Sequence, residues 1–519
     1  MVMDTLYRDA ASAPEKEVAS SFTFSGDLIR DALKNIYGKK FHPMTDIEEN
    51  MFDAVWKTLD LATDKGFGAR PADDPDRDFI REIKRNNAVF AAFKVHRAQN
   101  DMARLLLDKN GNLKPFEKWV EEVMPIADHQ MLHWLRTEYD TAVIRAHRAA
   151  DWRQAEREKD VLPNLEWVPS TSVHPGEDHR VFWGTIRPID DPFWNEHRPG
   201  DRWNCKCRLR STDKPVTDIP GGGKEFDPAP GLENNPGSDA KLFSDNHPYQ
   251  KEAYPGAKEA VDKLMKRIDE MIREMPDNLT DDEKMAIARN NLEIEKVLRI
   301  TKGKPMSVDE ADKQNANPKY KEEYILDPNG LYSDRKGNRY SKNPDYKSSD
   351  KQFGTNCQTC SPAYALRLRG FNVTAKGCTP GSKLDYLSRG HAFEVWMNMD
   401  GTPAEHTAIN SWLMAKRYQK MTPKRYMEFF DEVCKEVGVY ELCIGWKHGS
   451  GHATILQRFT NGELRYIEPQ HDNSKGSSEE WKDVKYLCDS GAANSHNCRG
   501  IMRIDNKLFN VDFLEIFDK

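Results

Sequence analysis

A cysteine in the first turn of a helix is a candidate nucleophile, and one stretch of this sequence puts a cysteine there. It reads Asn356-Cys357-Gln358-Thr359-Cys360-Ser361-Pro362-Ala363-Tyr364-Ala365-Leu366-Arg367-Leu368-Arg369-Gly370. Asn356 suits an N-cap, Ala365, Leu366 and Leu368 favour helix, and Gly370 suits the C′ stop, so Cys357 falls in the first turn. The free N–H groups of that turn and the helix dipole favour thiolate over thiol. Downstream, two strand-like runs, Ala453–Phe459 and Leu464–Glu468, flank an Asn461-Gly462 turn. This hairpin carries His452 where it begins and Glu468-Pro469-Gln470 where it ends, so pairing across the turn brings His452 near Glu468. A thiol that attacks, an imidazole that exchanges the proton and a third group that fixes the imidazole tautomer make a nucleophilic triad, with Glu468 or Gln470 as the third.

Other chemistry fits the same residues. Cys360 could be the nucleophile, although Pro362 two residues on and its place a turn into the helix read as a buried thiol. Cys357 and Cys360 could be a redox pair, but no thioredoxin-like βαβ pattern surrounds them. They could also hold zinc with Cys378 and His391, and Glu468 could be an ordinary hairpin charge. A second cluster lies upstream. Cys205 and Cys207, with His179 and His197, offer two thiolates and two imidazoles, an acceptable tetrahedral zinc shell. Reduced thiols beside a tryptophan are the plain alternative.

The elements that must position these groups follow from composition and periodicity. The chain has 519 residues, too many for one core. Its 38% hydrophobic and 31% charged residues predict long solvated helices and linkers. The net charge of −7 is the remainder of 77 basic and 84 acidic residues, so no global field points to nucleic acid or a membrane. No run reaches the ~20 apolar residues of a spanning helix, and no basic-then-apolar signal is expected at the N-terminus. Nine cysteines, an odd number, fit a reducing compartment better than a disulfide framework.

Apolar residues at helical spacing (Met51, Val55, Leu59, then Leu135, Tyr139, Ala142, Ala146) predict a helical bundle over about 25–155. Lys109-Asn110-Gly111-Asn112 is a turn, and Pro115 stands near the start of the next helix. Trp183, Phe193, Trp194 and Trp203 suggest a compact β-rich unit from Arg187 to Arg208. A Pro/Gly/Asn-rich stretch over 216–250 reads as a linker, and 251–300 as a helical spacer in which Thr280 caps a second helix. The Gly221-Gly222-Gly223-Lys224 string lacks the spacer and the Ser or Thr of a phosphate loop. The fold class expected is α+β multidomain: a mostly helical N-terminal module with a small β-rich unit, then an α+β C-terminal domain over 301–519.

Two family resemblances join these readings. Leu135-Arg136-Thr137-Glu138, Leu162-Pro163-Asn164-Leu165-Glu166-Trp167, Asp178-His179-Arg180, Asp190-Asp191-Pro192-Phe193-Trp194 and Trp203-Asn204-Cys205-Lys206-Cys207-Arg208, in this order, resemble the head morphogenesis domain of tailed-phage minor head proteins, the Mu F-like family. That domain is expected over 25–215. Pro305-Met306-Ser307, Ala311-Asp312, Asn317-Pro318, Asn356-Cys357-x-x-Cys360, Gly451-His452 and Glu468-Pro469-Gln470 resemble the papain-fold toxin group, linked to protein glutamine deamidation or peptide cleavage. One departure is Glu468, where the family often has Asp. Together the resemblances imply a virion head component carrying a papain-like cysteine enzyme, a glutamine deamidase or protease working through an acyl-thioenzyme. The alternative is a structural head protein whose papain-like domain is inactive or serves head processing. No cofactor is expected for catalysis. Implied partners are phage portal and capsid proteins, a host protein substrate and an immunity protein. The implied location is the virion head, with delivery to the bacterial cytoplasm.

Overall fold

The computed structural model describes residues 3–4, 7, 26–71, 73–172, 177–221, 223, 226–320, 324–326, 332–333, 339–342, 352–445, 451–470 and 500–519. Most of residues 321–351 fall outside them. The chain divides into two compact units, Met1–Arg267 and Ile268–Lys519.

In the first unit the helical pattern folds as five long helices: α1 (Gly26–Tyr37), α2 (Glu49–Phe67), α3 (Arg77–Ala103), α4 (Phe116–Asp128) and α5 (Leu135–Glu158). The predicted stripes are its core, with Met51, Val55, Leu59, Leu135, Ala142 and Ala146 all fully buried. Helix α2 lies so close to α5 that a Cβ at Gly66 would stand 2.3 Å from the Cβ of Ala146, a contact only glycine permits. A single π-helical turn, His129–Trp134, joins α4 to α5 just after Pro125, which cannot donate within the helix.

Strands β1 (Asn164–Val168), β2 (Ile186–Pro188) and β3 (Arg208–Thr212) form an antiparallel sheet in the order β2-β1-β3. The β-rich unit expected from Arg187 to Arg208 is therefore placed differently. Its strands bracket that stretch, while the interior is turns and the short helix Phe193–Glu196. Trp167, Phe182, Phe193 and Trp194 build its core against Trp152 of α5. Trp203 is elsewhere, stacked on Phe243 with centroids 5.7 Å apart.

The linker expected over 216–250 is corrected from Ala229 onward. Arg145 of α5 is fully buried, and its guanidinium donates to the carbonyls of Gly200 (2.6 Å), Leu232 (3.2 Å), Asn234 (2.8 Å) and Leu242 (2.6 Å). Gly237 rests on Trp152, where a Cβ would come within 2.5 Å of that side chain, and Tyr249 donates at 2.6 Å to Glu138, the buried partner of Lys94. Glycine, proline and asparagine here serve tight turns laid on a core. Burial pushes Arg145 down to about 9, and the carbonyl cage supplies acceptors that solvent cannot. Arg145→Met should therefore destabilise the first unit by roughly 3–5 kcal/mol, because several buried carbonyls lose their donor. Urea unfolding of the full chain checks this: the first unit's transition should move and the second's should stay.

The helical spacer expected over 251–300 is likewise corrected. Helix α6 (Ala257–Arg273) contains the boundary between the units, and α7 (Asp281–Leu298), started by a Thr280–Glu283 capping box, belongs to the second unit's core. Ile294 and Leu298 lie in that core, and Asn290 exchanges two hydrogen bonds with the Phe509 backbone at 2.8 and 2.9 Å.

The second unit is α+β. Helix α8 (Cys357–Leu368) packs on one face of an antiparallel sheet, and α9 (Ile409–Ala415) and α10 (Pro423–Val433) pack on the other. The sheet strands are β4 (Gly438–Gly445), β5 (Gly451–Arg458), β6 (Leu464–Ile467) and β7 (Gly500–Arg503), in the order β6-β5-β4-β7. Alternation along β4 serves both faces, with Val439 and Cys443 toward α8 and Tyr440, Leu442 and Ile444 toward α9 and α10.

Candidate functional sites in each unit

Cys357 is the first residue of α8 and is partly buried, with Cys360 one turn on and fully buried. Burial, with the charges of Cys357 and Glu468 nearby, pushes the Cys360 thiol up. A buried thiol held protonated is a poor nucleophile. Asn356, expected to cap the helix with its side chain, does not. Its φ of −101° and ψ of 24° are not the extended geometry of a side-chain cap, and its carboxamide is engaged elsewhere. Asn356 Nδ2 donates to Asn317 Oδ1 (3.0 Å) and to the Lys376 carbonyl (3.1 Å), while Oδ1 accepts from Gln470 Nε2 (3.3 Å). Asn317 Nδ2 also donates to the Gln470 carbonyl at 2.9 Å. All three amides are buried, so the start of α8 is bolted to the end of the β5–β6 hairpin.

That hairpin sets the other half. Leu456 faces Tyr466 and Ile455 faces Ile467, a register that continues to put Glu468 opposite Thr454, diagonal to His452 on the same face. The turn spans three residues between Phe459 and Glu463, with Gly462 at a φ of 83°. His452 Nε2 meets Glu468 Oε2 at 2.6 Å, and both side chains are buried. The same oxygen accepts from Tyr466 Oη at 2.5 Å, and Oε1 accepts the Gln470 backbone N–H at 3.0 Å. Gln470 thus holds the carboxylate by its main chain and Asn356 by its side chain, and does not take the position on His452. Burial pushes the imidazole down, but the Glu468 charge and a hydrogen bond with Cys357 outweigh it and raise His452 to about 10. Cys357, His452 and Glu468 therefore form one connected chain of thiol, imidazole and carboxylate. His391, the other zinc candidate with Cys378, is partly exposed, bonded to Glu394 (2.7 Å) and stacked on Tyr386.

In the first unit, one nitrogen of His179 and the sulfurs of Cys205 and Cys207 lie within 4.8 Å of one another. His179 Nδ1 is 3.1 Å from Cys205 Sγ, while Nε2 meets Asp201 Oδ1 at 2.7 Å. The hydrogen bond from Cys205, opposed by burial and aided by His179, brings Cys207 down to about 4. A carboxylate fixing one imidazole nitrogen so that the other faces soft ligands is a common surrounding of zinc. The donor set fits a soft divalent ion, but His197 is not part of it. Its ring stacks on Phe182 with centroids 4.6 Å apart, and Nδ1 has no partner among the described residues. Asp201, which the sequence alone did not single out, is separated from Cys205 by the three residues Arg202-Trp203-Asn204, a spacing that carries no ligand signal by itself.

These residues fall at the end of a segment with known relatives. Residues 109–210 match the family described as Phage Mu protein F like protein. This segment is similar to Mu F-like proteins. Within the chain, 77 residues are 29% identical to the putative capsid assembly protein F of Escherichia phage Mu, covering 15% of this chain and 18% of that protein. Over 77 residues the chain is also 31% identical to the Mu-like prophage FluMu F protein of Haemophilus influenzae, covering 15% of this chain and 19% of that protein. The chain spans less than a fifth of the length of either relative. No solved structure matches the chain. The matched segment includes α5, β1, β2, the start of β3 and the His179–Cys205–Cys207 cluster, and lies within the first unit.

Proposed function

We propose that this chain is a phage head morphogenesis protein whose second unit is a papain-like cysteine hydrolase acting on protein glutamine or peptide bonds. The Mu F-like domain supports the head role, with portal and capsid proteins as partners and the virion head as location. What carries the enzymatic reading is the Cys357–His452–Glu468 chain, in which a thiol at a helix start meets an imidazole backed by a buried carboxylate. In this reading the Cys357 thiolate attacks a carboxamide carbon and a C–S bond forms. The C–N bond breaks as the His452 imidazolium protonates the departing ammonia or amine. Water then attacks the thioester, giving its proton to His452, and a carboxylate and the free thiolate are restored. The target is a host protein reached after delivery to the bacterial cytoplasm, with an immunity protein guarding the producing cell.

Expression of the full chain in bacteria, followed by mass spectrometry of the proteome, tests this reading. Deamidation adds about one dalton to specific glutamines and cleavage yields new termini, each expected with the parent chain and absent with Cys357→Ala. Identical proteomes from the two would contradict it.

The upstream cluster is proposed to hold structural zinc through His179, Cys205 and Cys207, with Asp201 orienting the histidine. Metal analysis of the purified full chain should find about one zinc per molecule, lost in Cys205→Ser together with a lower unfolding midpoint of the first unit. His197→Ala should retain the metal. Zinc retained in full by Cys205→Ser would overturn this assignment.

A further inference from the structure

We propose that Tyr466 is a positioning residue that holds Glu468 ionised and aimed at His452, an inference that rests on the reading of Cys357, His452 and Glu468 as the reacting site. Tyr466 is the last but one residue of β6, two residues before Glu468, so strand alternation turns both side chains to the face that carries His452. Its ring is buried in the apolar cluster under α9 and α10 with Tyr426, Phe430 and Leu456, which fixes where the hydroxyl points. That hydroxyl donates to Glu468 Oε2 at 2.5 Å, the oxygen that also meets His452 Nε2 at 2.6 Å. With the Gln470 N–H on Oε1, the carboxylate has a donor on each side and cannot turn away from the imidazole.

The chemistry of the arrangement follows from what surrounds the carboxylate. Facing Glu468 are His452 from β5, Tyr466 from β6 and Cys360 from α8, with Cys357 reached through His452. A hydrogen bond donated to a carboxylate favours its charged form. As long as Glu468 is charged, the buried imidazole has its counter-ion and stays charged beside Cys357. Protonating Glu468 removes that support, and the imidazolium beside Cys357 is lost with it. Tyr466 would therefore set the acid limit of the site's reactivity without touching substrate.

The test is the pH dependence of Cys357 alkylation by iodoacetamide in the full chain, read by peptide mapping. The parent chain should show a reactive plateau reaching into the acid range, which His452→Ala abolishes. Tyr466→Phe keeps the buried ring and removes one oxygen, and it should move the acid limb of the plateau up by about one pH unit. In a Glu468→Gln background the same substitution should move nothing, because the residue acts through the carboxylate. If the phenylalanine variant does not melt cooperatively, 3-fluorotyrosine placed at position 466 keeps the ring and strengthens the donor, and the limb should move down. Superimposable profiles for Tyr466→Phe and the parent, or an equal shift without the carboxylate, would overturn the proposal. A parent chain with no plateau, or a plateau that survives His452→Ala, would instead overturn the underlying reading, and the difference is visible before any tyrosine variant is made.

Discussion

Cys357→Ala is expected to lower modification of the target protein by at least about 10³-fold, and His452→Ala to match it, because neither half of a thiolate–imidazole pair works alone. Glu468→Ala should cost less than either, since that carboxylate orients and supports the imidazole without touching substrate. Cys360→Ala separates the two thiols. Its side chain is fully buried, so its loss should lower stability by about 1 kcal/mol and leave activity within a few-fold of the parent. The measurement is the fraction of modified target in cells producing each variant at equal level, with a melt of each purified chain. Equal loss in Cys357→Ala and Cys360→Ala would mean that the thiols do not divide their roles in this way.

The second large effect concerns stability, not reaction. Glu441 of β4 is fully buried on the face that meets α8, opposite Ile455 and Met502 on the neighbouring strands. Trp396 Nε1 donates to one carboxyl oxygen at 2.7 Å, and the other has no partner among the described residues. Burial pushes this carboxyl up from 4.5 to about 8, with the indole N–H opposing. A carboxyl with a raised folded pKa contributes stability that is fully present below the unfolded value near 4.5. That stability is lost as pH rises toward about 8, because the unfolded chain releases the proton first. At about 1.4 kcal/mol per pH unit the loss is on the order of 4–5 kcal/mol. Glu441→Gln keeps the shape and cannot ionise. Denaturant unfolding of the second unit should find the variant more stable than the parent at pH 8.5 and close to it at pH 5. Parallel curves for the two chains would contradict the account of this buried acid.

How far the sequence foretold these features depended on the range of the interactions. The position of Cys357 in α8 rests on local helix signals, and the meeting of His452 with Glu468 rests on a turn and a period of two, so both were legible. Asn356 was misread as a side-chain cap because its amide is claimed by Asn317 and Gln470, residues 39 and 114 positions away. The stretch Ala229–Tyr249 reads as a linker because turns packed on a core and free chain have the same composition. Distant partners distinguish them, above all the buried guanidinium of Arg145, 87 to 97 residues away. His197 was expected beside Cys205 and Cys207 by residue type alone, yet packing against Phe182 decided its place. Tyr466 went unnoticed as an ordinary strand aromatic, although its spacing of two from Glu468 was the signal.

Alkylation of the folded full chain near pH 6 by a limiting amount of iodoacetamide, with the modified cysteine found by peptide mapping, tests the central claim most directly. The account predicts label on Cys357, little on buried Cys360, and loss of the Cys357 label in His452→Ala. Label on Cys360 with Cys357 spared, or labelling of Cys357 unchanged by His452→Ala, would contradict it.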